Sequence, residues 1–389
     1  MLSKRIQTLS SSLTIAISTL AQELKAEGKD ILSFSAGEPD FDTPEIIKNR
    51  AKEALDNGKT KYTAVPGIPE LLQAVADKLK RDNNLEYTPK MIQTNNGAKH
   101  SLFNLIQALI DEGDEVIIPA PYWVTYPEQV KYSGGVPVII ETEDSAGFKI
   151  TPTQLKEAIT PKTKILMLNT PSNPTGAIYS KEELEGLAEV LKGTEIIVIS
   201  DEMYEKLVYG GEKFVATASI SDDMFQRTIT VNGLSKASAM TGWRFGYLAT
   251  PNMELIGALN KLQSQSTSNI NSITQVAAIP GLDGSTDEVV EEMRKAFEAR
   301  CDEATELFNK IDGLSVVKPK GAFYLFVNIK EVNNDSMQFC KDLLSEQGVA
   351  VVPGLGFGSE GYFRFSFATD IETIREGIQR IEKFIATQK

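Results

Sequence analysis

The chain has 389 residues, more than one hydrophobic core usually organises, which predicts two domains. Its composition, 41% hydrophobic and 24% charged, is that of a globular protein, and a net charge of −13 argues against a nucleic-acid or anionic-membrane partner, both of which demand a basic face. A single histidine excludes paired-histidine metal motifs, and two distant cysteines, Cys301 and Cys340, make a disulfide framework unexpected and suit a reducing, cytoplasmic setting.

The first stretch, "MLSKRIQTLSSSLTIAISTLAQELKAEG", is only weakly apolar and has no A-x-A cleavage site. Ile17, Leu20 and Leu24 share a helical face, which predicts a helix and not a signal peptide. No window approaches a membrane span. "TPEIIKNRAKEALDNG" predicts a helix capped by Thr43, with Pro44 in its first turn and Gly58 as terminator. "MIQTNNGAKHSLFNLIQALI" is a glycine-containing turn opening an apolar-faced helix, whose free N–H groups suit a phosphate. "DEVIIPA", "VPVIIET", "KILMLNT", "EIIVISD" and "TITVNG" predict buried strands. Between them "SKEELEGLAEVLKG" carries a capping box of Ser180 and Glu183, with Gly193 as its stop. This alternation predicts an α/β fold with a mostly parallel central sheet flanked by helices. From about residue 285 a long charged helix leads into "GAFYLFVNI", "VAVVPG" and "GYFRFSFAT", then a last amphipathic helix, which predicts a smaller α+β domain. The expected division is an N-terminal arm over 1–40 that joins the small domain, a large domain over 41–285, and a small domain over 286–389.

In open α/β sheets, ligands bind at the carboxyl ends of the strands. Three strand ends carry polar residues: Asn173 in "TPSNPTG", Asp201 and Tyr204 after "EIIVIS", and Ser235 with Lys236 after "TITVNGL". Together these parts suit pyridoxal 5'-phosphate. Lys236, in a bed of small residues, is the amine for its aldehyde. The amides of Gly97, Ala98 and Lys99, the Ser235 hydroxyl and the Arg244 fork suit its phosphate. Asp201 suits the ring nitrogen, Tyr204 and Asn173 the ring oxygen, and Trp123 in "PAPYWVTYPE" the flat face. Each residue also has a plainer reading: Asp201 as a helix N-cap, Trp123 as core, Arg364 paired with an acid, Tyr62 packed in a loop. His100 and both cysteines are expected to be structural. "GFGSEG" (356–361) spells a dinucleotide fingerprint, but the alternating "YFRFSFAT" after it predicts a strand where that motif needs a helix.

"GLSKASAMTGWRFG" (233–246) resembles the lysine signature of class I pyridoxal-phosphate aminotransferases, with Ser235 before the lysine, Arg244 eight after it and Gly246 two later. "SAGEPDFDTP", "PYWVTYP", "NTPSNPTGA", "SDEMYEKL" and "GYFRFSFAT" resemble the other blocks of that family, in family order, and the resemblance is closest to bacterial aspartate aminotransferases. It implies a fold-type I pyridoxal-phosphate transferase and a homodimer with shared active sites. It implies that Lys236 is the Schiff-base lysine and proton shuttle and that Tyr62 reaches the cofactor phosphate of the neighbouring subunit. Arg364 would clamp the substrate α-carboxylate, helped by Asn173 and the backbone at Gly37. The implied reaction is reversible transfer of the amino group of L-aspartate to 2-oxoglutarate. Aromatic amino acids, alanine and prephenate or arogenate are the alternative substrates within the family.

A dicarboxylic substrate needs a second cation besides Arg364. One branch of these enzymes takes an arginine from the partner subunit, and the matching stretch here, "KLQSQSTSNINS", has none. Another uses a lysine in the phosphate turn, which implies Lys99, assisted by the Trp123 indole and Thr14. Where relatives that accept prephenate carry a basic residue near the N-terminus, this chain has Ser10 or a neighbouring serine.

Overall fold

The computed structural model describes residues 2–10 and 13–387. A first strand, β1 (Leu32–Ser33), follows the helix Leu13–Ala26. Seven strands then form one sheet: β2 (Ile92–Asn96), β3 (Glu115–Ala120), β4 (Val136–Glu141), β5 (Thr163–Asn169), β6 (Ile197–Asp201), β7 (Thr228–Gly233) and β8 (Phe245–Ala249). They lie in the order β2-β8-β7-β6-β5-β3-β4, and only β8 runs against its neighbours.

The unbroken apolar runs of these strands follow from burial on both faces, because successive residues of a strand point to opposite sides. In β5, Ile165 and Met167 join a cluster with Val116, Ile199 and Ile229. Leu166 and Leu168 join a second cluster with Ile117 and Val198. The sequence reading also made β4 a buried strand. Val136 and Ile139 are exposed there, since β4 is the sheet's last strand and pairs on one side only.

The rest of the chain builds β9 (Ser315–Val316), β10 (Tyr324–Asn328), β11 (Val349–Ala350), β12 (Val352–Pro353) and β13 (Tyr362–Ser366). Four of these form an antiparallel sheet in the order β12-β13-β10-β9. "VAVVPG" does not form one strand. It breaks at Val351, and β11 pairs in parallel with β1, so the N-terminal segment is stitched to the C-terminal one through Leu32–Val349 and Ser33–Ala350. "GFGSEG" ends directly at β13, with no helix after it. The helix Asp287–Phe308 buries Phe297 against Phe41 and Phe323, and one cluster of buried side chains runs from Ile165 in the larger sheet to Phe363 in the smaller.

Helix ends show where local signals held and where longer-range bonds overrode them. Ser180 and Glu183 make the expected capping box, the serine Oγ accepting from Glu183 N–H and the carboxylate from Ser180 N–H. Thr43 does not cap its helix. Pro44 is the N-cap, and the Thr43 hydroxyl donates to Ala239 O at 2.7 Å, three residues past Lys236. In Leu13–Ala26 the inward face is Ile17, Ala21 and Leu24, packed on Ile31, Leu344 and Ala350; Leu20 is exposed. Both spacings lie on one broad helical face, and the packing of Ile31, Leu344 and Ala350 selects Ala21 over Leu20.

Leu166 is fully buried within the central sheet. Leu166→Ala is expected to lower stability by about 2–5 kcal/mol, read as a lower urea midpoint; an unchanged midpoint would contradict this packing.

Candidate active site

A cavity of about 620 Å³ opens at the carboxyl ends of β5, β6 and β7 and reaches across to Tyr324 of β10 and Arg364 of β13. It gathers Gly37, Ala98, Lys99, Trp123, Asn173, Asp201, Tyr204, Ser235, Lys236, Arg244 and Arg364 from the residues singled out in the sequence. Among the described residues Lys99, Lys236, Arg244 and Arg364 are its cations, and Glu38 and Asp201 its carboxylates.

Lys236 sits in the turn after β7, where Ser238 N–H bonds Leu234 O and Met240 N–H bonds Ser235 O. Its Nζ donates to Gly37 O. Burial lowers its pKa to about 8, against the pull of Glu38 and with help from Arg364 and Arg244. At neutral pH this amine sheds its proton far more readily than a surface lysine.

Asp201 is the last residue of β6 and is buried. Burial pushes its carboxyl up to about 6, while the Tyr126 hydroxyl at 2.8 Å, the Met203 N–H at 3.3 Å and nearby Lys236 favour the anion. The segment after it is a turn and not a helix, so the N-cap reading does not apply. The Tyr204 hydroxyl pairs with Tyr324 at 2.9 Å, and burial keeps the phenol protonated.

Arg364 is only 2% exposed. Its Nη1 donates to Asn173 Oδ1 at 2.9 Å and its Nη2 to Ser35 O at 2.8 Å, while its Nε is buried without a partner. The guanidinium lies 4.3 Å from the Tyr324 ring centroid. Among the described residues no carboxylate lies within ion-pairing distance of Arg364, Arg244 or Lys99. Asn173 accepts from Arg364 through its side-chain carbonyl, which leaves its amide as a donor facing the cavity.

Arg244 adopts a left-handed backbone conformation (φ 57°), and its guanidinium bonds Thr241 O at 2.9 Å and Asn96 O at 3.3 Å. It lies against Gly97, where a Cβ would come within 2.5 Å of Nη2. Gly246 makes room likewise: a Cβ there would approach Ala98 N to 2.3 Å. Two glycines thus let the arginine and β8 close on the first turn of the helix Ala98–Leu109. The sequence reading offered the amides of Gly97, Ala98 and Lys99 to a phosphate. Gly97 is withdrawn from that role, because its N–H closes on Asn95 O at 2.7 Å and it does not line the cavity. Lys99 Nζ lies 4.7 Å from the Trp123 ring centroid, and burial, then the Arg244 charge, lowers its pKa.

Tyr62 lies outside the cavity and is 91% exposed. Lys261–Ser272 does not line the cavity of its own chain. Ser10 lies elsewhere, its N–H on Glu128 at 2.6 Å; Ser11, Ser12 and the Thr14 side chain fall outside the described residues. His100 accepts from Asn96 N–H at 3.1 Å, inside the helix. Cys301 and Cys340 are free and buried.

Sequence reasoning missed Tyr126, Tyr324, Glu38 and Asn169. Tyr126 was within reach, since it stands three residues after Trp123 and the two rings meet edge to face at 5.5 Å. Asn169, the final residue of β5, accepts from Asn173 N–H at 2.7 Å. Glu38 accepts from Thr241, more than two hundred residues away, and no local pattern signals it.

A mostly parallel sheet with this site at its strand ends defines an enzyme that handles an anionic ligand through a buried amine. The chain belongs to the aminotransferase class I and II family, whose sequence pattern matches residues 29–381. It is 49% identical over 389 residues to an aspartate aminotransferase of Bacillus subtilis (strain 168), covering 99% of this chain and 98% of that one. The crystal structure of the aspartate aminotransferase from Rhizobium meliloti superposes with a TM-score of 0.96 at 42% identity, over 99% of each chain. That of the Thermus thermophilus aspartate aminotransferase with maleate superposes at 0.94 and 44% identity, over 98% of this chain and 99% of that one. The protein is therefore a pyridoxal-phosphate-dependent aminotransferase of fold type I, which takes amino-acid and 2-oxo-acid substrates. The residues present fit the cofactor: an amine of lowered proton affinity, unused amides beside an unpaired arginine, and a buried carboxylate. Among the described residues no helix is long and apolar enough to cross a membrane.

The lowered Lys236 pKa has a consequence for the cofactor-free protein. Between pH 8 and 10.5 the unfolded chain holds the lysine proton and the folded one does not, so stability rises with pH there. Lys236→Met removes the buried charge and should melt higher than the parent at pH 7, with the gap closing as pH rises through 8 toward 10.5. A pH-independent gap would contradict the assigned proton affinity.

Proposed function

We propose that this protein transfers the amino group of L-aspartate to 2-oxoglutarate, giving oxaloacetate and L-glutamate. The observation that carries the reading is Arg364, a buried guanidinium with no carboxylate partner among the described residues, in a cavity that holds a second cation, Lys99, likewise without one. Two separated cations suit a substrate with two carboxylates. The aspartate aminotransferases among its relatives, one of them solved with the dicarboxylate maleate, support that choice.

Arg364 binds the α-carboxylate, and its bonds to Asn173 and Ser35 fix the plane of the fork. Lys99 takes the side-chain carboxylate, with the Trp123 indole beside it. Bound pyridoxal phosphate supplies an aldehyde carbon for the substrate nitrogen and a ring that withdraws electrons from Cα. Lys236 Nζ moves the proton at Cα, which a pKa near 8 suits, since a shuttle must take and return a proton near working pH. Asp201 holds a proton at the ring nitrogen, and Tyr204 and Asn173 donate to the ring oxygen. Ser235, Arg244 and the amides of Ala98 and Lys99 hold the phosphate at the helix start. Tyr62, exposed on this chain, serves the phosphate of a second copy, so the working unit is a homodimer. Residues 41–285 form the large domain, and the arm before them joins the small domain of 286–389. Two free, buried thiols suit a reducing cytoplasm.

Purified protein loaded with the cofactor should form oxaloacetate from aspartate and 2-oxoglutarate, and failure to do so would refute the assignment. Lys236→Ala should cut that rate by about 10²–10⁴-fold or more. Lys99→Gln should lower kcat/KM for aspartate by about 10–100-fold while sparing alanine. An equal loss for both substrates would remove Lys99 from side-chain recognition.

A further inference from the structure

The loop that carries Tyr62 is held far more firmly than its exposure suggests. Gln275 accepts from Ile68 N–H at 2.8 Å and donates to the Thr63 hydroxyl at 2.9 Å. Gln263 donates to Val65 O at 3.2 Å. Thr94 of β2 donates to Pro66 O through both its N–H and its hydroxyl, each at 2.8 Å. Both glutamines are fully buried. The same Gln263 donates to Thr94 O at 3.1 Å and accepts from Asn95 at 2.6 Å, and Asn95 in turn accepts from Ser101 in the helix that starts at Ala98. Neutral buried amides are therefore the hub between the strand and helix of this chain's phosphate turn and the loop bearing Tyr62. The Tyr62 side chain stands clear of them, in solvent.

Buried amides are costly unless their bonds are met, and Gln263 and Gln275 have theirs met, so these bonds specify one arrangement of the groups they join. An aromatic side chain raised on a fixed loop loses little freedom when it meets its ligand. Resting on the reading of Tyr62 as a donor to the neighbouring subunit's cofactor phosphate, we infer that Gln275 and Gln263 are positioning residues for that cofactor: they set the Tyr62 loop in advance of dimer contact. Through Gln263 they also tie each subunit's own phosphate turn to the loop it lends its partner. The stretch "KLQSQSTSNINS", which lacks a substrate arginine, thus contributes through Gln263.

The test is the dissociation constant of pyridoxal phosphate, measured by equilibrium dialysis of the dimer, in four proteins: parent, Tyr62→Phe, Gln275→Leu and the double variant. Tyr62→Phe should weaken binding by roughly tenfold, and Gln275→Leu by about half as much on a logarithmic scale. In the Tyr62→Phe background, Gln275→Leu should add little, because it acts through the tyrosine it positions. Thr63→Val, which removes the partner of Gln275 on the loop side, should match Gln275→Leu and serves if that variant does not fold. An unchanged constant in Tyr62→Phe overturns the Tyr62 reading itself. A clear loss in Tyr62→Phe, with Gln275→Leu and Thr63→Val either silent or equally costly in both backgrounds, keeps Tyr62 and overturns the positioning role.

Discussion

Positive charge held inside an acidic chain without its own counter-charge is the constraint on which the rest depends. The net charge is −13, yet Arg364 is buried and, among the described residues, has no carboxylate in reach, while Lys99 and Arg244, exposed along the same cavity, are also without an acidic partner. Taking an ion out of water costs several kcal/mol, and proteins normally offset this with a partner. Here the polar groups around Arg364 are neutral: the Asn173 amide, the Ser35 carbonyl and the face of Tyr324. They orient the guanidinium without neutralising it. On the proposed reading the missing anion is the substrate carboxylate, and binding it supplies what folding left undone.

The fold makes that cost bearable by placing the cations on rigid supports. The larger sheet is packed on both faces, so Asn169, Asp201 and the turn holding Lys236 emerge side by side from β5, β6 and β7. The smaller sheet brings Tyr324 and Arg364 from far later in the chain, and the cluster around Phe297 and Phe323 joins the two sheets. Thr43, whose hydroxyl bonds Ala239 and so does not cap its helix, braces the lysine turn from the N-terminal side. Local preferences yield where the site needs a bond.

What was legible in the sequence is what local pattern encodes. Strand ends are marked by apolar runs followed by polar residues, so Asp201 and Lys236 could be found at them. The interval from Lys236 to Arg244 and Gly246 is local as well, and Gly246 proves to be the point where β8 meets the helix start. The residues that were missed act across long separations. Glu38 meets Thr241, and Tyr324 meets Tyr204, through tertiary folding that no window of sequence contains. Gly97 was misread as a donor because composition cannot reveal that its N–H is already used by Asn95. Leu20 was put on the inner face by hydrophobicity, whereas the helix turns Ala21 inward. Edge position, which exposes Val136 and Ile139, depends on strand order and is not written in either residue.

The central claim is that this cavity holds an amino acid with two carboxylates and moves its amino group onto the enzyme's own cofactor. The most direct measurement is a single turnover with L-aspartate alone, without any 2-oxo acid, on protein fully loaded with pyridoxal phosphate. The account predicts one equivalent of oxaloacetate per subunit and loss of the cofactor's visible absorbance, restored by adding 2-oxoglutarate. No oxaloacetate and an unchanged spectrum at saturating aspartate, with turnover on alanine or phenylalanine instead, would contradict it.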